Sequence, residues 1–164
     1  MQATFKKEKA GRKVLEKASK EVLDIISRLK RAYVVVEGDH DVNALADFGI
    51  TAMTYSAAIA NVHSLVRQAR SEGKEILILF DLDKGGDEKM RKLLLAFESA
   101  LDGDTSAVKI NTELGRHFLK ILNVTSVEQI RAPASELTAT ARGIKPKWYY
   151  EENYGGIRSD LIKY

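Results

Sequence analysis

The chain has no cysteine and only three histidines among 164 residues. Disulfides, thiolate metal sites and cysteine nucleophiles are therefore excluded together, and three scattered His leave little from which to build a zinc cluster. Any metal would be a hard cation held by oxygen. No stretch approaches the ~18 consecutive apolar residues of a membrane helix. The opening Met-Gln-Ala-Thr-Phe-Lys-Lys lacks the apolar core of a secretory signal. The expected location is the cytoplasm, with no membrane partner. There is no internal repeat and no low-complexity linker, and a chain that is 45% hydrophobic and 30% charged has the balance of a single domain, 1–164, with a core of its own.

What charge there is lies unevenly. Residues 1–31 carry ten Lys or Arg against four acids, a net of +6, whereas residues 32–141 carry eleven against sixteen, a net of −5. Residues 142–164 add +2, so the overall +3 conceals an acidic middle between basic ends. Such a chain suits an anionic partner only if a cation intervenes at the acidic part.

Hydrophobic spacing orders the elements. From Ala10 to Leu29, Val14, Leu15, Ala18, Val22, Ile25, Ile26 and Leu29 recur at three and four, which predicts an N-terminal basic amphipathic helix within residues 1–30. Ala32–Val36 reads as a buried strand ending at Glu37-Gly38-Asp39. A helix opening at Asp39 or His40 ends at Gly49, and Ile50–Tyr55 is a second strand. Ile59, Val62, Leu65, Val66 and Ala69 form one helical stripe closed by Gly73, before a third apolar run at Ile76–Phe80. A helix bearing Met90, Leu93, Leu94, Phe97 and Leu101, a strand at Ala107–Ile110, and a helix capped by Thr112 follow. Beyond Pro133 a further helix spans Ser135–Arg142, and the tail from Lys145 is mixed in charge and rich in Tyr. Continuous apolar strands alternating with helices predict an α/β fold: about four mainly parallel strands with helices on both faces, plus a C-terminal helical or irregular extension.

In an open α/β sheet, ligands bind where the carboxyl ends of strands lead into helices. Two such loops are loaded with acid: Val36-Glu37-Gly38-Asp39-His40-Asp41 and Phe80-Asp81-Leu82-Asp83-Lys84-Gly85-Gly86-Asp87-Glu88. Asp39, Asp41, Asp83 and Asp87 each precede a predicted helix and individually read as helix caps. Glu37 and Asp81 directly follow apolar strands and do not fit that explanation. Carboxylates gathered at strand ends repel one another unless a cation or a proton sits among them, and Asp81 and Asp83, two apart, suit one Mg2+.

An apolar run followed by Glu-Gly-x-x-Asp, then an apolar run followed by Asp-x-Asp-x-x-Gly, resembles the Toprim domain. That domain is shared by type IA and type II topoisomerases, bacterial-type primases, old-family nucleases and ribonucleases that mature ribosomal RNA. The resemblance covers about residues 31–110, leaves 111–164 as a C-terminal extension, and is strongest to the small stand-alone Toprim proteins of archaea and bacteria. It implies a Rossmann-like fold, Glu37 as the acid or base at the bridging oxygen, and Asp81 and Asp83, together with Glu37, as Mg2+ ligands. Gly38, Asp41, Gly86 and Asp87 would support the site. Two positions differ from the common pattern: Asp39 stands where many small members have Lys, and Asp87 where Glu is usual.

The function implied is Mg2+-dependent binding of RNA or DNA, with processing of phosphodiester bonds, by a homodimer or within a larger RNA-processing assembly. Candidate phosphate contacts are Lys13, Lys17, Lys20 and Lys84, and Lys147, Trp148 and Arg158 could contact phosphates or stack on unpaired bases. An alternative is a non-catalytic nucleic-acid-binding subunit of an RNA-processing or repair assembly. A third reading arises because Leu79-Phe80-Asp81-Leu82-Asp83 is similar to the first motif of haloacid-dehalogenase-type phosphatases. It expects a Thr soon after Asp83 and leaves Glu37 without a role.

Overall fold

A computed structural model describes residues 2–144, with side chains from Lys13 onward. The elements are α1 (Gln2–Leu29), β1 (Tyr33–Val36), α2 (Asp39–Ala46), β2 (Ala52–Thr54), α3 (Tyr55–Ala60), α4 (Val62–Glu72), β3 (Ile76–Ile78), α5 (Lys84–Leu101), β4 (Ile110–Asn111), α6 (Glu113–Ile121), a 3-10 turn (Val127–Ile130) and α7 (Arg131–Ala141). The described residues fall into two compact units, one of residues 24–133 and one of residues 2–23 with 134–144. The first unit holds the whole sheet.

That sheet is all parallel with the order β2-β1-β3-β4. The Val, Ile and Leu runs form it because strands buried on both faces have no solvent side to supply alternation. Val34, Val35, Val36 and Ile76 through Phe80 are all at most 3% exposed. On one face, Val35, Ile76, Ile78 and Phe80 pack with Ala58, Leu65, Val66, Ala69, Met90, Leu93 and Phe97 from α3, α4 and α5. Leu79 points the other way, and there α6 approaches so closely that a Cβ added at Gly115 would lie 2.5 Å from the Ile78 carbonyl oxygen and 3.1 Å from Leu79 Cα. The doubly covered parallel sheet is an α/β, Rossmann-like fold.

Several boundaries differ from the sequence expectation. The stripe from Ile59 to Ala69 is two helices, because Asn61 leaves helical dihedrals (φ −123°, ψ 24°) and turns its side-chain amide back to donate to the Ala57 carbonyl at 2.9 Å. The fourth strand begins at Ile110, where the expectation placed its end. Thr112 occupies the cap position of α6 but makes no side-chain cap bond; Asn111 Oδ1 instead accepts from the Leu114 N–H at 3.0 Å. The last helix starts at Arg131, since Pro133 in its first turn forfeits only an N–H that would be unpaired there anyway.

At the other end of the sheet, Arg28 grips Glu75 with two bonds, Nε at 2.5 Å and Nη2 at 2.7 Å. This pairing holds the Glu75 carboxyl below its usual range. In the second unit, Lys13, Lys17 and Lys20 are exposed along α1, and the buried Ser19 hydroxyl is satisfied by the Leu15 carbonyl at 2.8 Å.

Candidate active site at the sheet switch point

Strand order decides which loops meet. From β1 the chain passes to β2 on one side, and β3 then lies on the opposite side of β1, so the connections leaving β1 and β3 diverge and open a crevice between them. The motif loops are those two connections. Leu79 N–H donates to the Val35 carbonyl at 2.9 Å, carrying the β1–β3 pairing one residue past the end of β3 and setting Glu37 beside Phe80 and Asp81.

The two acids meet there. Asp81 N–H donates to Glu37 Oε1 at 3.0 Å, across 44 residues of sequence, and Lys89 Nζ lies 2.5 Å from Glu37 Oε2. Glu37 has a side chain only 14% exposed, whereas that of Lys89 is 43% exposed. Asp81 is itself backed by a returning loop: Val127 N–H donates to Asp81 Oδ1 at 2.8 Å, and Leu82 N–H donates to the Thr125 carbonyl at 2.7 Å. Gly86 makes this closeness possible, because a Cβ there would fall 2.2 Å from the Asp81 carbonyl oxygen and 2.9 Å from Glu37 Oε1.

The remaining acids have structural duties. Asp83 is the N-cap of α5, with Oδ1 accepting from Gly86 N–H at 2.7 Å. Gly38 precedes α2 and has no side chain with which to cap it; Asp41, three residues on, reaches back to the Gly38 N–H at 3.1 Å. Asp87 pairs with Arg116 of α6 at 2.5 Å. Cap duty and cation binding are compatible, since each carboxylate oxygen has two lone pairs and the caps use a fraction of them.

Electrostatics mark the cluster as crowded with negative charge. Burial pushes the Asp81 carboxyl above its ordinary value; the Val127 N–H opposes this, and the charges of Asp41, Glu37 and Asp83 add to it. Burial also raises Asp41, only 7% exposed, against the bond from Gly38 N–H, with Glu37 and Glu128 contributing. The Lys89 ammonium is correspondingly strengthened, chiefly by its bond to Glu37, against burial, with Asp83 and Asp81 also contributing. The N-termini of α2 and α5 begin within this crevice and favour anions there.

The donor set is all oxygen, which suits a hard cation such as Mg2+. Among the described residues no three of His, Cys, Asp and Glu converge tightly enough to enclose an ion. A cation here would therefore rest on one or two carboxylates, Asp81 and Asp83, with water completing its shell, which is how Mg2+ is commonly held.

The structure brings Glu37, Gly38, Asp41, Asp81, Asp83 and Gly86 into one crevice and puts Asp87 on its α5 side. Lys84 is exposed at the start of α5. Lys13, Lys17 and Lys20 belong to the other compact unit. Lys147, Trp148 and Arg158 lie outside the described residues. Sequence reasoning missed Lys89, although a signal existed: it stands three residues after Gly86, beside the buried stripe Gly86, Met90, Leu93 and Phe97. It also missed Arg116 and Thr125–Val127, which sit beyond the 31–110 stretch. No local signal marks Val127, whose role arises only when the chain returns after α6.

The class these features define is a parallel Rossmann-like α/β protein with an acid-lined crevice at its switch point. No protein-family model and no curated protein matches the chain. A solved structure of a protein from Aquifex aeolicus, whose description states no activity, is similar to it. The two are 25% identical with a TM-score of 0.52, and the match covers 68% of this chain and 96% of that one. Among the described residues no helix is long and apolar enough to cross a membrane.

Proposed function

We propose that the chain is a Mg2+-dependent nucleic-acid-binding protein of the Toprim kind that processes phosphodiester bonds in RNA or DNA, with Mn2+ able to replace Mg2+. The observation that carries this reading is the 3.0 Å bond from Asp81 N–H to Glu37 Oε1, which joins the two motif acids at the switch point of a parallel sheet. Asp81 and Asp83 would hold the cation, and Asp41 and Gly86 would keep the loops in register. A divalent cation bound there would attract the phosphodiester and stabilise the negative charge of its transition state. Glu37 would take or return the proton at the bridging oxygen, and Lys84 would contact a neighbouring phosphate. In the phosphatase reading Asp81 is the nucleophile and Glu37 has no task, whereas here Glu37 is bonded to the backbone of Asp81 itself.

One observation favours a second reading, binding without turnover. Both Glu37 oxygens are engaged, one by Asp81 N–H and the other by Lys89, which restrains the residue that would move the proton. A panel of labelled structured RNA, single-stranded DNA and duplex DNA, with Mg2+ or Mn2+, separates the two. Cleavage by the wild type that is lost in both Glu37→Ala and Asp81→Ala supports processing. Metal-dependent binding with no cleavage supports the second reading. Cleavage undiminished in the variants contradicts the site.

A further inference from the structure

We propose that Lys89 is an internal counter-cation of the acidic crevice, which a divalent ion must displace from Glu37 as it binds. The inference rests on the reading of Asp81 and Asp83 as cation ligands.

Four acids crowd the crevice, and burial already disfavours the charge of two of them, Asp81 and Asp41. A cluster of this kind stays folded without metal only if something offsets the mutual repulsion. Lys89 is placed to do so: its ammonium is 2.5 Å from Glu37 Oε2, and it also lies within the field of Asp83 and Asp81. Its charge therefore sits beside the same carboxylates that would attract a metal.

The same placement makes Lys89 a competitor. Like charges at close range repel, and the second charge of a divalent ion doubles the effect, so Lys89 and such an ion share Glu37 only at a cost. The two partners differ in freedom. Glu37 is fixed at 14% exposure by its second bond to Asp81 N–H, while the Lys89 side chain is 43% exposed and can turn to water on its flexible stem. Entry of the ion should therefore move the lysine and leave the glutamate in place.

The test is titration of Mg2+ and Mn2+ into the full chain by calorimetry, for wild type, Lys89→Met, Lys89→Gln and Lys89→Arg, with melting followed in chelator. Lys89→Met removes charge and bond together; Lys89→Gln removes the charge but keeps a donor for Glu37, and serves if the first variant does not fold. The neutral variants are expected to melt lower than wild type without metal, yet to bind Mn2+ about tenfold tighter, with Lys89→Arg equal to wild type or weaker. A lysine that only supports the fold would weaken metal binding when removed. If the wild type binds metal and the neutral variants bind it no tighter, the counter-cation role is overturned while the cation site stands. If no form binds Mg2+ or Mn2+, the cation site fails and the inference fails with it.

Discussion

At Gly86 a methyl group would fall 2.2 Å from the Asp81 carbonyl oxygen and 2.9 Å from Glu37 Oε1, and the nearer of these atoms belongs to backbone that cannot swing aside. Gly86→Ala is expected to cost stability at the upper end of the about 1–3 kcal/mol typical of overpacking, and to separate the two motif acids. Chemical denaturation reads the first effect and metal titration the second; a variant as stable as wild type would contradict the geometry. Asp81 gives a prediction of opposite sign. Its carboxyl binds a proton more tightly in the folded chain than in the unfolded one, so stability falls as pH rises from its ordinary value through its raised folded value. At neutral pH the ionised group is therefore a net burden. Asp81→Asn keeps an oxygen for the Val127 N–H and should raise the melting temperature at pH 7 by a few degrees. That gain should shrink as acid protonates the wild-type residue. A lower melting temperature at pH 7 would show that the charge is better compensated than this geometry implies. Glu37 and Asp81 stood out in the sequence because acids directly after apolar runs have few structural uses, and Asp83 through its place two residues on; Lys89 was passed over despite its spacing from Gly86, because a lysine on a helix ordinarily faces water.

At the scale of elements, apolar runs and Gly stops placed all four strands and most helices, since both follow from burial and backbone freedom, which are local properties. The β4 boundary and the break at Asn61 were not legible, because each depends on hydrogen bonds that compete with a continuing pattern. Gly115 shows what spacing cannot reveal: within α6 it is one helix residue among others, and only the approach of that helix to β3 makes a side chain intolerable there. Gly115→Ala is expected to destabilise the protein by about 1–3 kcal/mol, because the Ile78 carbonyl and Leu79 Cα belong to a buried strand that cannot give way. Equilibrium unfolding in urea checks this, and an unchanged midpoint would mean that α6 sits farther from the sheet.

At the scale of the molecule, the division into two units redraws the charge asymmetry and makes it milder. Residues 24–133 carry fourteen Lys or Arg against sixteen acids, a net of −2, while the rest of the chain carries twelve against seven, a net of +5. The unit with the motif acids is thus the one that most needs a cation before it can receive a polyanion, and the other carries the surplus of positive charge. Binding should then weaken with salt through the basic residues and strengthen with Mg2+ through the acidic crevice. The measurement that tests this most directly is the affinity of the full chain for labelled RNA and DNA by fluorescence anisotropy, at fixed ionic strength, with Mg2+ or with chelator. Wild type and Asp81→Asn are compared. The account predicts that Mg2+ tightens binding by the wild type at least tenfold and leaves the variant unchanged; equal enhancement in both would place the cation, and with it the site, somewhere other than the Glu37–Asp81 crevice.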